Sequence, residues 1–291
     1  MKKSILSLLC ILAFALPFVA ATPCFADTGE TTIDQITYRY DTETGEATVS
    51  DADESISGNA VIPGTIEVGG QKYKVTSIGD DAFVWCAGLD QITILEGVTS
   101  IGDYAFSYCP SLTQIAIPES VTSIGQGTFA YCSSLKEITI PEGVTSIGDS
   151  AFISCASLTE VTIPESVTSI GDGTFDSCSS LKEIAIPEGV TSIGSNAFAY
   201  CSSLKEIAIP EGVTSIGDYA FCECDNLTNV YVREGLSLGA DPFIDGSRDV
   251  RVLRYEVLEN AEASEDGKVH VAIVSVEDKD GAGITASLAI S

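Results

Sequence analysis

The sequence predicts an α/β solenoid of seven 23-residue units with β-rich caps at both ends, and three observations carry that prediction. One frame, V-T-S-I-G-x-x-A/T-F-x-x-C-x-x-L-x-x-I/V-x-I/V, begins at Val75 and starts again at Val98, Val121, Val144, Val167, Val190 and Val213, a period of 23 without slippage. Hydrophobic residues make up 45% of the chain, yet a unit this short cannot shelter its own apolar face, whereas stacked units can. The flanking segments leave the frame and alternate polar with apolar residues, as strands do. A period of twice that length is also visible, because "GQGTF" at Gly125 and "GDGTF" at Gly171 alternate with "AF" units.

The first element is a leader. Lys2 and Lys3 precede an apolar run from Ile5 to Val19, and small residues follow. That layout predicts a secretory signal peptide over residues 1–26, cleaved after Ala26, with Ala21 as the alternative. Pro17 interrupts the run, which is also short for a membrane span. Pro23 before Cys24 argues against a lipidated cysteine, and no transmembrane span is expected in the mature chain.

Residues 27–74 read as an N-terminal β cap. "ITYRYDTETGEATVS" is a hairpin with its turn near Thr44-Gly45, and "AVIPGTIEVGGQKYKV" is a second one turning at Gly69-Gly70. Ile62-Pro63 echoes the Ile-Pro of the later units and marks a degenerate first unit.

Residues 75–232 are the seven units. In the unit from Val121 the inward set is Val121, Ile124, Phe129, Cys132, Leu135, Ile138 and Ile140. Ile138 and Ile140 stand two apart, which is strand periodicity, and Pro141 ends that strand for want of an N–H. "VTSI" is a second, shorter extended piece, and the Gly after it turns the corner. Asp follows that Gly in five units (Asp80, Asp103, Asp149, Asp172 and Asp218) and reads as the N-cap of a helical turn, on which Phe and Cys three apart share a face. Parallel strands at roughly 4.8 Å per coil make a body about 34 Å long.

This frame, with "VTSIG", "AF", "C" and "IP" at fixed offsets, resembles the BspA-type leucine-rich-repeat family of bacterial surface proteins, over about Val61 to Leu253. The resemblance implies a leucine-rich-repeat solenoid and a secreted or surface-exposed binding protein, often an adhesin. The implied partner is a protein or glycoconjugate on a host or neighbouring cell. A passive structural component of the envelope or matrix is the alternative.

Residues 233–253 read as a shortened eighth unit, with Phe243 for the repeat Phe, Gly246 for the Cys, and Val250 and Val252 at the strand positions. Residues 254–291 read as a small β appendage of two strands joined around Asp280-Gly281, docked on the solenoid end.

Charge and composition narrow the function. The chain carries 42 acidic against 14 basic residues, a formal charge of -28. That excludes nucleic acid, which needs a basic footprint, and disfavours an anionic membrane surface. One histidine, His270, and the absence of G-x-S-x-G, H-E-x-x-H and a phosphate-cradling Gly loop argue against an enzyme; no catalytic residue, cofactor or metal is assigned.

Candidate partner-binding residues fall in three columns. Glu137, Glu160, Glu183 and Glu206 share the outward strand face with Thr139 and Thr162. Four stacked carboxylates repel one another, and Lys136, Lys182 and Lys205 beside three of them should offset this in part. The face is either a solvated surface or the concave binding surface of a repeat protein, tuned for a basic partner. Trp85, Tyr108 and Tyr131, two residues after each Phe, continue as Ser154, Ser177 and Tyr200 and form either an exposed patch or a structural stack. Seven cysteines from Cys86 to Cys224 occupy one column and read as buried thiols first, disulfides second and metal ligands last. The repeated Thr-Ser pairs (Thr76-Ser77 to Thr214-Ser215) are explained by ladder hydrogen bonding.

Overall fold

The computed structural model describes residues 28–236, 238–240, 242, 250–257, 271–278, 283–284 and 288–290. The predicted leader, Phe243, Gly246, His270 and the turn expected around Asp280-Gly281 lie outside the described residues.

The chain is a strand-rich repeat solenoid. The "VTSI" segments pair in parallel, Ser77 with Ser100, Ser123 and Ser146 in turn, and Ser169 with Ser192 and Ser215, so each pairing advances 23 residues. This run breaks between the strands Ser146–Ile147 and Ser169–Ile170. Along it, threonine hydroxyls donate to the threonine carbonyl of the preceding coil, as Thr122 Oγ1 does to Thr99 at 3.2 Å and Thr214 Oγ1 to Thr191 at 3.1 Å.

The inward set predicted for the unit from Val121 is wholly buried. One apolar cluster runs from Ile36 to Val252, and its spine is the stack of Phe83, Phe106, Phe129, Phe152, Phe175, Phe198 and Phe221. Successive rings lie 5.0–5.7 Å apart and within 20° of parallel, the offset packing aromatic rings prefer.

The helical turn is the main correction: among the described residues there is no α-helix. In the coil from Val75 the N–H groups of Asp81, Phe83 and Trp85 donate to Asp103, Ala105 and Ser107 of the next coil. Between them Val84 N–H bonds back to Asp81 and Cys86 N–H to Phe83, closing single turns. A short helix carries a nucleation cost, and here every second backbone donor finds a carbonyl one coil away. This path needs left-handed backbone twice per coil, at Asp81 and Trp85, Tyr104 and Tyr108, Gly127 and Tyr131, and so on to Tyr219 and Glu223.

The Asp column caps no helix either. Asp80 Oδ1 accepts from Asp103 N–H at 2.9 Å, Asp103 Oδ1 from Gln126 N–H at 2.7 Å, and Asp172 Oδ1 from Ser195 N–H at 2.7 Å. The carboxylates join coil to coil. The Gly before them is required by close approach: a Cβ on Gly102 would stand 2.5 Å from Asp80 Oδ1 and 2.7 Å from Asp80 N.

At the N-terminal end, Ile36–Asp41 and Glu46–Ala52 form the first hairpin, and Thr65–Val68 and Gln71–Ile78 the second. Gly69 and Gly70 both have positive φ, as a two-residue primed turn needs. The sequence reading missed a further edge strand, Thr28–Ile33, which turns into Ile36–Asp41 through left-handed Asp34 and Gln35. The strand Ser57–Ile62 pairs in parallel with Gly88–Ile94, setting Ile62 against Ile94.

At the C-terminal end, Arg251–Val257 pairs in parallel with Asn229–Arg233, and it is Val252, not Val250, that meets Val230. The strand Val271–Asp278 then pairs antiparallel with Arg251–Val257 and continues the solenoid's own sheet. The last strand expected there is two short pieces, Gly283–Ile284 and Leu288–Ile290, both against Val271–Asp278.

Candidate functional site

The outward face of the second strand ladder gathers four of the predicted residues. Glu137–Thr139 and Glu160–Thr162 pair in register, Glu137 opposite Glu160 and Thr139 opposite Thr162. Ile138 and Val161 between them are buried, and alternation leaves the Glu and Thr side chains exposed. They line a cleft of about 450 Å³ with Gln91, Thr93, Gln114 and Glu119.

The other two glutamates stand apart from this cleft. Glu183 is exposed on a stretch that forms no strand, although Ile184 and Ile186 beside it remain buried. Glu206 begins the strand Glu206–Ala208, opposite Asn229. None of Lys136, Lys182 and Lys205 forms a direct ion pair with the column. Two carboxylates one coil apart repel by about 0.9 kcal/mol in water.

The aromatic column lies at another corner of the coil. Trp85 and Tyr108 stack at 3.9 Å and 18°, and Tyr108 and Tyr131 at 4.4 Å and 10°. Each sits in the left-handed region, at φ of 63°, 57° and 61°, so the three side chains leave the backbone in one direction. Trp85 and Tyr131 remain 53% and 41% exposed. The column is therefore both a stack and an exposed surface. It shares no residue with the Glu/Thr cleft.

The cysteine column is a set of free thiols, and all seven members are buried. Each is more than a small apolar filler: Cys132 Sγ donates to the carbonyl of Phe106 at 3.1 Å and Cys155 Sγ to that of Phe129 at 3.1 Å, one coil back. The Phe129 carbonyl also accepts Cys132 N–H of its own coil. Burial pushes the Cys155 and Cys224 thiols up to about 12 and Cys132, Cys178 and Cys201 well above their ordinary value, so the thiolate that would attack or bind metal is suppressed. Among the described residues no three His, Cys, Asp or Glu side chains converge as metal ligands.

Sequence reasoning missed a second cleft, of about 430 Å³, where the aromatic column is interrupted at Ser154 and Ser177. The signal was present as a change of residue type within one column.

The chain matches the family described as the BspA type leucine rich repeat region in six copies, over residues 71–180 and 145–245. A search of the curated proteins gives no match. Among solved structures, a leucine-rich repeat protein from Bacteroides ovatus is 32% identical, with a TM-score of 0.54 over 78% of this chain and 71% of that one. A leucine-rich repeat protein of T. pallidum is 25% identical, with a TM-score of 0.53 over 76% and 91% of the two chains. The pneumococcal vaccine antigen PcpA, 21% identical, shares the fold with a TM-score of 0.57 over 78% and 70%. No helix among the described residues is long and apolar enough to cross a membrane. Internal repetition, solenoid geometry and these likenesses agree, and the chain belongs to the BspA-type leucine-rich repeat family.

Proposed function

We propose that this is an exported, non-catalytic repeat protein that binds a basic protein surface on a host or neighbouring cell, in the manner of an adhesin. The observation that carries the reading is the Glu/Thr cleft: Glu137 and Glu160 in register, Thr139 and Thr162 beside them, and no ion pair from the neighbouring lysines. Carboxylates left without a partner on a rigid strand face, in a chain of charge -28, favour a partner that brings its own cations. Family membership and the leader predicted over 1–26 support placement at the bacterial surface. Glu183 and Glu206 extend the same acidic column beyond the cleft and contribute long-range attraction.

The test is binding of the mature chain to a panel of matrix proteins and co-resident bacterial surfaces at rising salt. Glu137→Lys with Glu160→Lys is expected to weaken capture at least about tenfold and to flatten its salt dependence. Unchanged binding and salt response in that variant would move the site elsewhere. Absence of saturable binding across the panel would favour a passive envelope component.

A further inference from the structure

We infer that the interruption in the aromatic column is a binding slot for a neutral pyranose ring of a glycan. The column reads Trp85, Tyr108, Tyr131, Ser154, Ser177, Tyr200 and Glu223, one residue per coil. Trp85, Tyr108 and Tyr131 fill their rungs with stacked rings at 3.9 and 4.4 Å. Two rungs are then empty of rings, and Tyr200 resumes the column without a ring neighbour, 53% exposed. At roughly 4.8 Å per coil, Tyr131 and Tyr200 stand about 14 Å apart, which leaves space for two further ring thicknesses.

The backbone does not change across the gap. Tyr131, Ser154, Ser177 and Tyr200 have φ of 61°, 59°, 61° and 56°. Their N–H groups bond in the same way to the next coil, at 2.8, 2.7, 2.8 and 2.7 Å. The serines hold the conformation of the aromatic rungs, which costs of order 1 kcal/mol in a non-glycine residue, with no ring to stack. The result is an open cleft of about 430 Å³, within the size range of small-ligand pockets.

The lining selects the ligand. Tyr200 offers a flat aromatic face for the C–H face of a sugar ring. Ser154 and Ser177 offer hydroxyls at the empty rungs, and Glu223 and Asp225 offer acceptors beyond Tyr200 for sugar hydroxyl donors. The Ser177 hydroxyl already donates to Asp176 Oδ1 at 2.8 Å, leaving its oxygen to accept. The two carboxylates exclude uronic and sialic acids by repulsion. An aromatic side chain of a protein partner would fit the width, but hydroxyls and carboxylates are poor walls for it. The inference is independent of the Glu/Thr cleft, with which this one shares no residue.

The experiment is titration of the full mature chain with chitotriose, maltotriose, cellotriose and mannotriose, with trigalacturonate and a Phe/Tyr-bearing peptide as contrasts, followed by calorimetry and saturation-transfer NMR. At least one neutral trisaccharide is expected to saturate. Tyr200→Ala should weaken it at least tenfold. Ser154→Tyr with Ser177→Tyr should abolish it by completing the column, while the thermal midpoint holds or rises, because three coils already carry Tyr there. No saturation by any neutral sugar, equal binding of trigalacturonate, preference for the peptide, or a sugar affinity indifferent to both variants would each overturn the assignment.

Discussion

Alkaline pH should dismantle this solenoid through its thiols. Cys109, Cys132, Cys155, Cys178, Cys201 and Cys224 are each 0% exposed. Removal from water raises every one of them above the ordinary value of 9.0, Cys155 and Cys224 to about 12, with neighbouring thiols adding to the effect at Cys109, Cys132, Cys178, Cys201 and Cys224. As pH rises past 9 the unfolded chain loses these protons while the folded chain keeps them. Stability is therefore fully present below pH 9 and drains away between 9 and 12. At pH 10 each thiol withdraws roughly 1 kcal/mol, and six together withdraw several kcal/mol, comparable with the whole stability of an ordinary domain. Melting followed by circular dichroism from pH 7.5 to 10.5, in reductant and 1 M salt, is the assay. The salt shortens the Debye length to about 3 Å, so repulsion among the acidic side chains is suppressed while the buried-thiol effect persists. The midpoint should fall by about 20 °C or more between pH 8 and pH 10. A fall under about 5 °C would refute the reasoning.

Other perturbations read out single joints of the fold. Gly148→Ala would place a Cβ 2.4 Å from Gln126 N and 2.5 Å from the Gly125 carbonyl carbon, forcing two coils apart; a loss of about 1–3 kcal/mol, or about 5–10 °C in the midpoint, is expected. Asp103→Ala removes the acceptor for Gln126 N–H and should cost about 1–2 kcal/mol, whereas Asp103→Asn keeps an acceptor oxygen and should be neutral or better; equal losses in both would rule out an inter-coil joint. Ellman titration of the native chain should leave the seven column cysteines unlabelled until denaturant is added, and rapid native labelling of Cys155 would contradict its burial.

Much of the fold is legible in the chain because repetition is a one-dimensional property. The recurrence of Val98, Val121 and Val144 fixes the coil length, and alternation at Ile138 and Ile140 fixes which side faces in. The Glu137 and Glu160 pairing follows from those two facts alone. The helical reading of "GDYAFSYC" failed for a physical reason: local spacing at Phe106 and Cys109 describes a turn of either kind, and what decides between them is a carbonyl in another coil. The same holds for Asp103, whose carboxylate finds a backbone N–H of the next coil and not of its own turn. Likewise, the residue lists show Ser154 and Ser177 in an aromatic column, but only stacked coils turn two small side chains into a cleft.

What the sequence by itself determined is the period, the inward set and the acidic outward face, since each depends only on which residue types recur at which offset. What the tertiary structure decided is where the strand backbone donors, the column thiols and the Asp-column carboxylates find their partners. Those partners lie one coil away, a few ångströms across the stack and about 23 residues along the chain, at a distance local propensity does not sense.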